Sequence, residues 1–157
     1  MDKKFLMAIA LCFGVVTVSF AAVNPAAIKA AKESAVAALK SKEWAIYLTP
    51  EEGQKGVSSD TDILTFTDGT ILSKNLSTKG YLASNFGLTI QNDGTAVWET
   101  MQVDETQKDL AFLRGELLTN GIMQGTLFLK PQKGQKVTYY FSTTAPVVNT
   151  APPPKKK

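Results

Sequence analysis

The sequence predicts an all-β protein: an eight-stranded antiparallel up-and-down barrel preceded by one helix. Short apolar runs alternate with clusters of turn residues through most of the chain. Several of these turns are short and contain glycine, so the strands that they join must be antiparallel. Because consecutive strands usually pair with each other, a closed barrel is favoured over its alternative, a two-sheet β-sandwich.

The 157 residues suit one domain, and the composition excludes several kinds of catalytic site. The chain has no histidine, which rules out a Ser-His-Asp triad and imidazole metal ligands. Cys12 is the only cysteine, so neither an intrachain disulfide nor a thiolate metal cluster can form. We therefore predict a protein that is not an enzyme and that uses neither a metal ion nor a cofactor.

Residues 1–21 have the pattern of a signal peptide. Two early lysines precede an apolar run from residue 5 to residue 20, and the small residues Ser19 and Ala21 predict cleavage after Ala21. An uncleaved anchor is the alternative, although the run is short for a membrane span. We expect a secreted or periplasmic protein with no transmembrane span after cleavage.

Residues 22–42 form the next predicted unit, a single helix over 24–42. Asn24 is a favourable N-cap, and Pro25 stands at the first helical position, where a missing N–H is tolerated. The apolar residues near one face are Ile28, Ala31, Ala35, Val36 and Leu39. This helix is expected either to lie on the following domain or to act as a spacer that holds the domain off a membrane or wall.

Residues 43–143 are predicted to form the barrel. Strands are expected near residues 43–49, 61–67, 70–74, 85–91, 95–103, 109–118, 121–130 and 136–143. Asp68-Gly69, Asn92-Asp93-Gly94 and Asn120-Gly121 supply the positive φ angles that tight hairpins need. Residues 74–84 form a longer connection.

The hairpin around Asn120 has a register that the sequence can predict. A three-residue loop, 119–121, sets Leu117 opposite Met123 and Gly115 opposite Gly125. This register places Ala111, Leu113, Leu117, Met123, Leu127 and Leu129 on one face, whereas a two-residue loop would mix the two faces. The facing glycines suggest a sharp bend in the sheet.

The other face of this hairpin is expected to point outward. It carries Phe112, Arg114, Glu116 and Phe128, and Arg114 and Glu116 would form an ordinary surface pair. The two phenylalanines would stay exposed unless something covers them. The N-terminal helix or a partner is the expected cover.

The chain resembles the lipocalin-like, or calycin, group of small secreted barrels. The resemblance rests on the strand with Trp44, on Thr65-Phe66-Thr67-Asp68-Gly69, on Trp98-Glu99-Thr100, and on the run from Gly115-Glu116 to Met123-Gln124-Gly125-Thr126-Leu127. It covers about residues 43–143. It implies the barrel fold, and it extends to small secreted bacterial proteins that repeat this pattern of turns and glycines.

The sequence predicts a ligand-binding module and leaves one alternative function open. In the predicted module, the barrel holds a small apolar or amphipathic ligand at its mouth, bound by the aromatic residues Trp44, Tyr81, Phe86 and Trp98. An eight-stranded barrel can instead be filled by its own side chains. In that second case the protein is an envelope-associated interaction domain that works through its outer face, at Phe112, Arg114 and Phe128.

The C-terminal segment, residues 144–157, is expected to be a tail without fixed structure. Pro152–Pro154 and Lys155–Lys157 follow one another there and could meet an envelope protein or an anionic surface. Apart from this tail and the leader, the chain is almost neutral, with 13 acidic residues against 12 basic ones. We therefore expect no nucleic acid partner.

Overall fold

The computed structural model describes residues 24–146, and within this range eight strands and two helices form one closed barrel. The helices are α1 (Pro25–Lys40) and α2 (Lys74–Ser77); the strands are β1 (Trp44–Pro50), β2 (Asp60–Phe66), β3 (Thr70–Ser73), β4 (Ser84–Ile90), β5 (Ala96–Val103), β6 (Leu110–Leu117), β7 (Met123–Lys130) and β8 (Val137–Ser142). Each strand pairs antiparallel with the next, and β8 pairs with β1. The predicted barrel is confirmed over the sandwich. The predicted signal peptide, 1–21, residues 22–23, and residues 147–157 of the predicted tail lie outside the described residues.

The barrel has two ends with different loops. The helix end carries α1 and the short turns that join β2 to β3, β4 to β5, and β6 to β7. The loop end carries α2 and the longer loops 51–59, 104–109 and 131–136. Because successive strands run in opposite directions, the connections alternate between the two ends, and the first, third, fifth and seventh connections lie at the loop end.

Helix α1 begins at the predicted cap and ends at Lys40, two residues before its predicted end. The Oδ1 atom of Asn24 accepts a hydrogen bond of 3.0 Å from the backbone N–H of Ala26. Leu39 is fully buried in the barrel core, and the backbone carbonyl of Leu39 accepts a bond of 2.8 Å from Trp44 Nε1. The helix therefore lies on the barrel and is not a spacer.

The expectation that this helix covers Phe112 and Phe128 is wrong. Helix α1 packs mainly against β2 and β4, whereas the two phenylalanines lie on β6 and β7, and Phe112 remains 40% exposed. A short link joins the helix to β1, and Leu39 is buried in the core at the helix end of the barrel. These two constraints keep the helix away from the outer face of β6 and β7.

A short helix that the sequence does not predict, α2, follows β3. The Ser73 hydroxyl caps it by accepting a hydrogen bond of 3.1 Å from the backbone N–H of Leu76, and the Leu76 side chain is buried. The carboxylate of Asp62, itself 4% exposed, accepts hydrogen bonds from the Ser73 hydroxyl and from the backbone N–H of Asn75. Asp62 thus ties the first turn of α2 to β2.

The predicted register of the β6–β7 hairpin is confirmed. Leu117 pairs with Met123 and Gly115 with Gly125. Gly121 has a φ angle of 82°, and the backbone N–H of Leu118 donates a bond of 2.9 Å to the carbonyl of Ile122. The apolar face predicted from this register points into the barrel, and Phe112 and Arg114 point outward.

Candidate functional site

The four residues predicted to bind a ligand belong to the barrel core. Trp44, Tyr81 and Trp98 are buried, with Trp98 fully shielded from solvent, and Phe86 is half-buried against the same cluster. The ring of Phe66 lies 5.1 Å from that of Trp98 and 5.3 Å from that of Phe86, in edge-to-face geometry. The structure thus brings Trp98 and Phe86 together through Phe66.

Trp98 fills the middle of the barrel because Gly115 leaves room for its indole, while Gly125 leaves room for the ring of Phe141 and the backbone of β6. Trp98 faces Gly115 across β5 and β6, Gly115 faces Gly125, and Gly125 faces Phe141. The indole and the ring of Phe141 stack with centroids 6.1 Å apart and planes inclined by 25°. A Cβ at residue 115 would overlap the indole, so the facing glycines serve packing as well as any bend of the sheet.

Two polar atoms are buried in this core without a hydrogen-bond partner among residues 24–146. They are Nε1 of Trp98 and Oε1 of Gln102. The side-chain amide of Gln102 donates its other bond, of 2.9 Å, to the backbone carbonyl of Ile71. A donor and an acceptor therefore remain available inside a barrel that is otherwise lined mostly by apolar side chains.

Tyr81 is the buried phenol of this cluster. Burial raises the pKa of the Tyr81 phenol above its usual value of 10.0, and the negative charges of Asp109 and Asp104 raise it further. The phenol consequently stays protonated at neutral pH.

Two depressions of the described residues lie on the outer surface. One of about 340 Å³ crosses β6, β7 and β8 beside Arg114, Glu116 and Tyr140. Another, of about 570 Å³, runs along α1 beside Lys32 and Val36. Both are open to solvent at the surface, where a partner rather than an enclosed small molecule would fit.

The outer face of β5, β6 and β7 brings the predicted interaction residues Phe112, Arg114 and Phe128 together. Phe112 and Phe128 are directly opposite each other, with ring centroids 6.2 Å apart. Arg114 forms an exposed ion pair with Glu99 on β5. The predicted pair between Arg114 and Glu116 is wrong, because the β5–β6 register sets Glu99 directly opposite Arg114.

Met101 also belongs to this face, although no local sequence pattern places it there. Met101 lies opposite Phe112 and is 50% exposed, so Met101, Phe112 and Phe128 form one row across three strands. We call these three residues, two phenylalanines and the methionine beside them, the aromatic row. The signal that would reveal Met101 is the β5–β6 register, and the loop between these strands contains no turn dipeptide that defines it.

Lysines border the aromatic row on the side of the loop end. Lys130 is exposed and follows Phe128 on the outward positions of β7. Lys108 and Lys136 are exposed and stand just before β6 and β8, two residues from the outward positions Leu110 and Thr138. We call Lys108, Lys130 and Lys136 the lysine border.

Neither a metal-binding cluster nor a membrane-spanning helix is found among residues 24–146. In residues 24–146, no group of three or more Asp, Glu, Cys or His side chains could hold a metal ion. None of the helices described here is long and apolar enough to cross a bilayer. Comparison of the chain with family models, with curated proteins and with solved structures found no match.

Proposed function

We propose that the protein is a secreted or periplasmic interaction module, without enzymatic activity, whose barrel is filled and whose outer face binds the partner. The observation that carries this proposal is the complete burial of Trp98 between Phe66 and Phe141. A ligand in the barrel would have to displace these rings from a packed core, and each large core side chain stabilises a fold by about 3–5 kcal/mol.

The outer face offers what an interaction site needs. Phe112 is 40% exposed and Met101 is 50% exposed, and Phe112 lies between Met101 and Phe128. Large exposed side chains that adjoin one another on a sheet are typical of protein or membrane contacts. The paired charges of Arg114 and Glu99 give this face a polar rim.

The second candidate function is a carrier that binds a small ligand inside the barrel. One observation favours it: Trp98 Nε1 and Gln102 Oε1 are buried without a partner among residues 24–146. A ligand that offered both an acceptor and a donor would satisfy them. Such a ligand would require the core to open.

Native mass spectrometry of the protein purified from its own host separates the two functions. We expect the bare mass of the chain. A stoichiometric small molecule on the protein, lost in the Trp98→Ala variant while circular dichroism shows the fold intact, would overturn the filled barrel and support the carrier.

Photo-crosslinking in the host tests the outer face. A photoreactive residue at Thr126, between Arg114 and Tyr140 on the outer face, should capture a partner. The Phe112→Ser/Phe128→Ser double variant should lose that product, whereas Ile28→Ser on α1, also an exposed apolar residue, should keep it. An unchanged product in the double variant would contradict the proposed function.

A further inference from the structure

We propose that the partner of the outer face is an anionic phospholipid bilayer, with the aromatic row entering the interface and the lysine border meeting the lipid phosphates. This inference rests on the proposed function, since it names the partner of the same face. It is carried by the arrangement of apolar and basic residues on β5, β6, β7 and β8.

The apolar part is continuous over three strands. Met101, Phe112 and Phe128 lie side by side across the sheet. In the next row toward the loop end, Val103 pairs with Leu110, and both are half-buried on the same outward positions. Large apolar and aromatic side chains on one surface enter the headgroup boundary of a bilayer, where aromatic rings are preferred.

The basic part lies along one edge of this apolar area. Lys130 stands two residues beyond Phe128, a distance of about 7 Å along the strand. Lys108 and Lys136 are placed at the same end of β6 and β8. Long lysine side chains keep their amines at the phosphates while their methylene stems rest on apolar surface. Each lysine near an anionic bilayer strengthens binding by about fivefold.

Three acidic residues near the aromatic row have partners of their own. The carboxylate of Asp104 accepts the backbone N–H groups of Lys108 and Asp109, at 2.7 and 2.8 Å. The carboxylate of Asp109 accepts the backbone N–H of Gln132, at 2.7 Å. Glu99 is paired with Arg114.

Two further acids belong to the same region. Glu105 is exposed in the loop, and Glu116 is half-buried toward the helix end. Lys130 and the loops 104–109 and 131–136 together therefore place four lysines beside three acids, and the carboxylates of two of those acids, Asp104 and Asp109, accept backbone N–H groups.

This arrangement favours a bilayer over a single-stranded nucleic acid. A nucleic acid would stack its bases on Phe112 and Phe128, but it would also need a positively charged groove that follows the phosphate chain. The lysines stand on one side of the row, Arg114 on the other side is paired with Glu99, and the aliphatic neighbours Val103 and Leu110 extend the apolar area instead. One apolar layer beside one basic layer matches the layering of a membrane surface.

Co-sedimentation of the full chain with vesicles tests the inference. One set of vesicles contains equal parts of phosphatidylglycerol and phosphatidylcholine, and the other contains phosphatidylcholine alone. We expect binding to the anionic set, about tenfold or more above the neutral set. Raising the salt to about 0.5 M should weaken it.

Two sets of substitutions locate the binding on the outer face. Phe112→Ser/Phe128→Ser and Lys108→Gln/Lys130→Gln/Lys136→Gln should each lower binding to anionic vesicles by about tenfold or more. Ile28→Ser and Lys32→Gln are matched controls on α1, where both side chains are exposed, and should stay within about twofold of the wild type. Circular dichroism should show all variants folded, since the changed side chains lie outside the core.

Equal partitioning of the wild type and the outer-face variants would overturn the inference, because the binding would then come from another part of the chain. Tighter binding of a thymidine oligonucleotide than of anionic vesicles, lost in the double phenylalanine variant, would also overturn it in favour of nucleic acid. If vesicles do not bind but the double variant still loses its crosslinked partner, the lipid inference fails and the proposed function stands. If the crosslinked product is also unchanged, the proposed function fails.

Discussion

Trp98 and Gly115 face each other on β5 and β6, and the indole occupies the space that any side chain at residue 115 would need. The pairing explains why the middle of a strand contains a glycine, a residue that usually weakens strands. It also explains the filled interior, because a residue with a Cβ at this position would push the indole away from Phe141. The absence of one methyl group thus allows the largest core side chain.

Substitution of Gly115 should show this dependence directly. We expect Gly115→Ala to lower the free energy of unfolding by about 1–3 kcal/mol, because the new Cβ overlaps a fully buried ring. Gly87→Ala is the matched control: its Cβ would meet no atom within 4 Å, so the change should stay within about 0.5 kcal/mol. Urea unfolding measures both. Equal stabilities for the two variants would show that the indole can move aside freely.

Helix α1 should contribute to barrel stability through Leu39. Leu39→Ala keeps a good helix former in place but leaves a cavity in the core, and we expect a loss of about 2–5 kcal/mol. Ile28→Ala, on the exposed part of the same helix, should change stability by less than about 0.5 kcal/mol. Thermal unfolding followed by circular dichroism compares them. A Leu39→Ala variant as stable as the wild type would mean that the helix is a spacer after all.

Asp62 should be more important for stability than its neighbour Asp60. Asp62→Ala removes the acceptor for the Ser73 hydroxyl and for the N–H of Asn75, and each buried donor left unsatisfied costs about 1–3 kcal/mol. Asp60 is exposed, so Asp60→Ala should cost less than about 1 kcal/mol. Chemical unfolding of the two variants gives the comparison. A larger loss for Asp60→Ala would contradict the anchoring of α2 by Asp62.

The loop between β5 and β6 should show an acid-dependent stability. The hydroxyl of Thr106, followed by the backbone N–H of Asp109, lowers the pKa of Asp104 from 3.8 to about 2. A carboxylate with a lowered pKa stabilises the folded state above pH 4, and this stabilisation is lost as the pH falls toward 2.

Thr106→Val should raise the pKa of Asp104 toward 3.8 and weaken the loss of stability between pH 4 and pH 2. An NMR titration of the Asp104 carboxyl carbon measures the pKa. Thr49→Val, an exposed strand position, serves as the control and should leave the titration unchanged. A pKa of about 2 in both variants would assign the shift to the backbone N–H groups alone.

The predictable parts of the fold are those that local residue patterns define. Gly121 and the leucines around it allow one hairpin register, and that register is confirmed. The β5–β6 register cannot be predicted from the sequence, because loop 104–109 contains no turn dipeptide that defines it. The pairing of Arg114 with Glu99 depends on this register and cannot be predicted either. Helix α2 has four residues, too few to show a helical period.

For the candidate site, the sequence predicts only which side chains point into the barrel and which point outward. Strand alternation identifies Trp98 as inward and Phe112 as outward, as the structure has them. Alternation does not tell how far a side chain reaches across the barrel. Whether Trp98 lines a cavity or fills the centre depends on Gly115 and Gly125 on the next two strands and on Phe141, a combination that only the closed sheet brings together.

The closure of the barrel has a consequence for how the chain folds. Strands β1 and β8 meet through four residue pairs, from Tyr47 with Ser142 to Pro50 with Tyr139, while each of the other strand pairings joins neighbours along the sequence. The neighbouring hairpins close only short loops, whereas the β1–β8 pairing must bring together the two ends of the barrel segment, so we expect this seam to form late in folding. Until it forms, the edge of β1 is where a strand from another copy can pair.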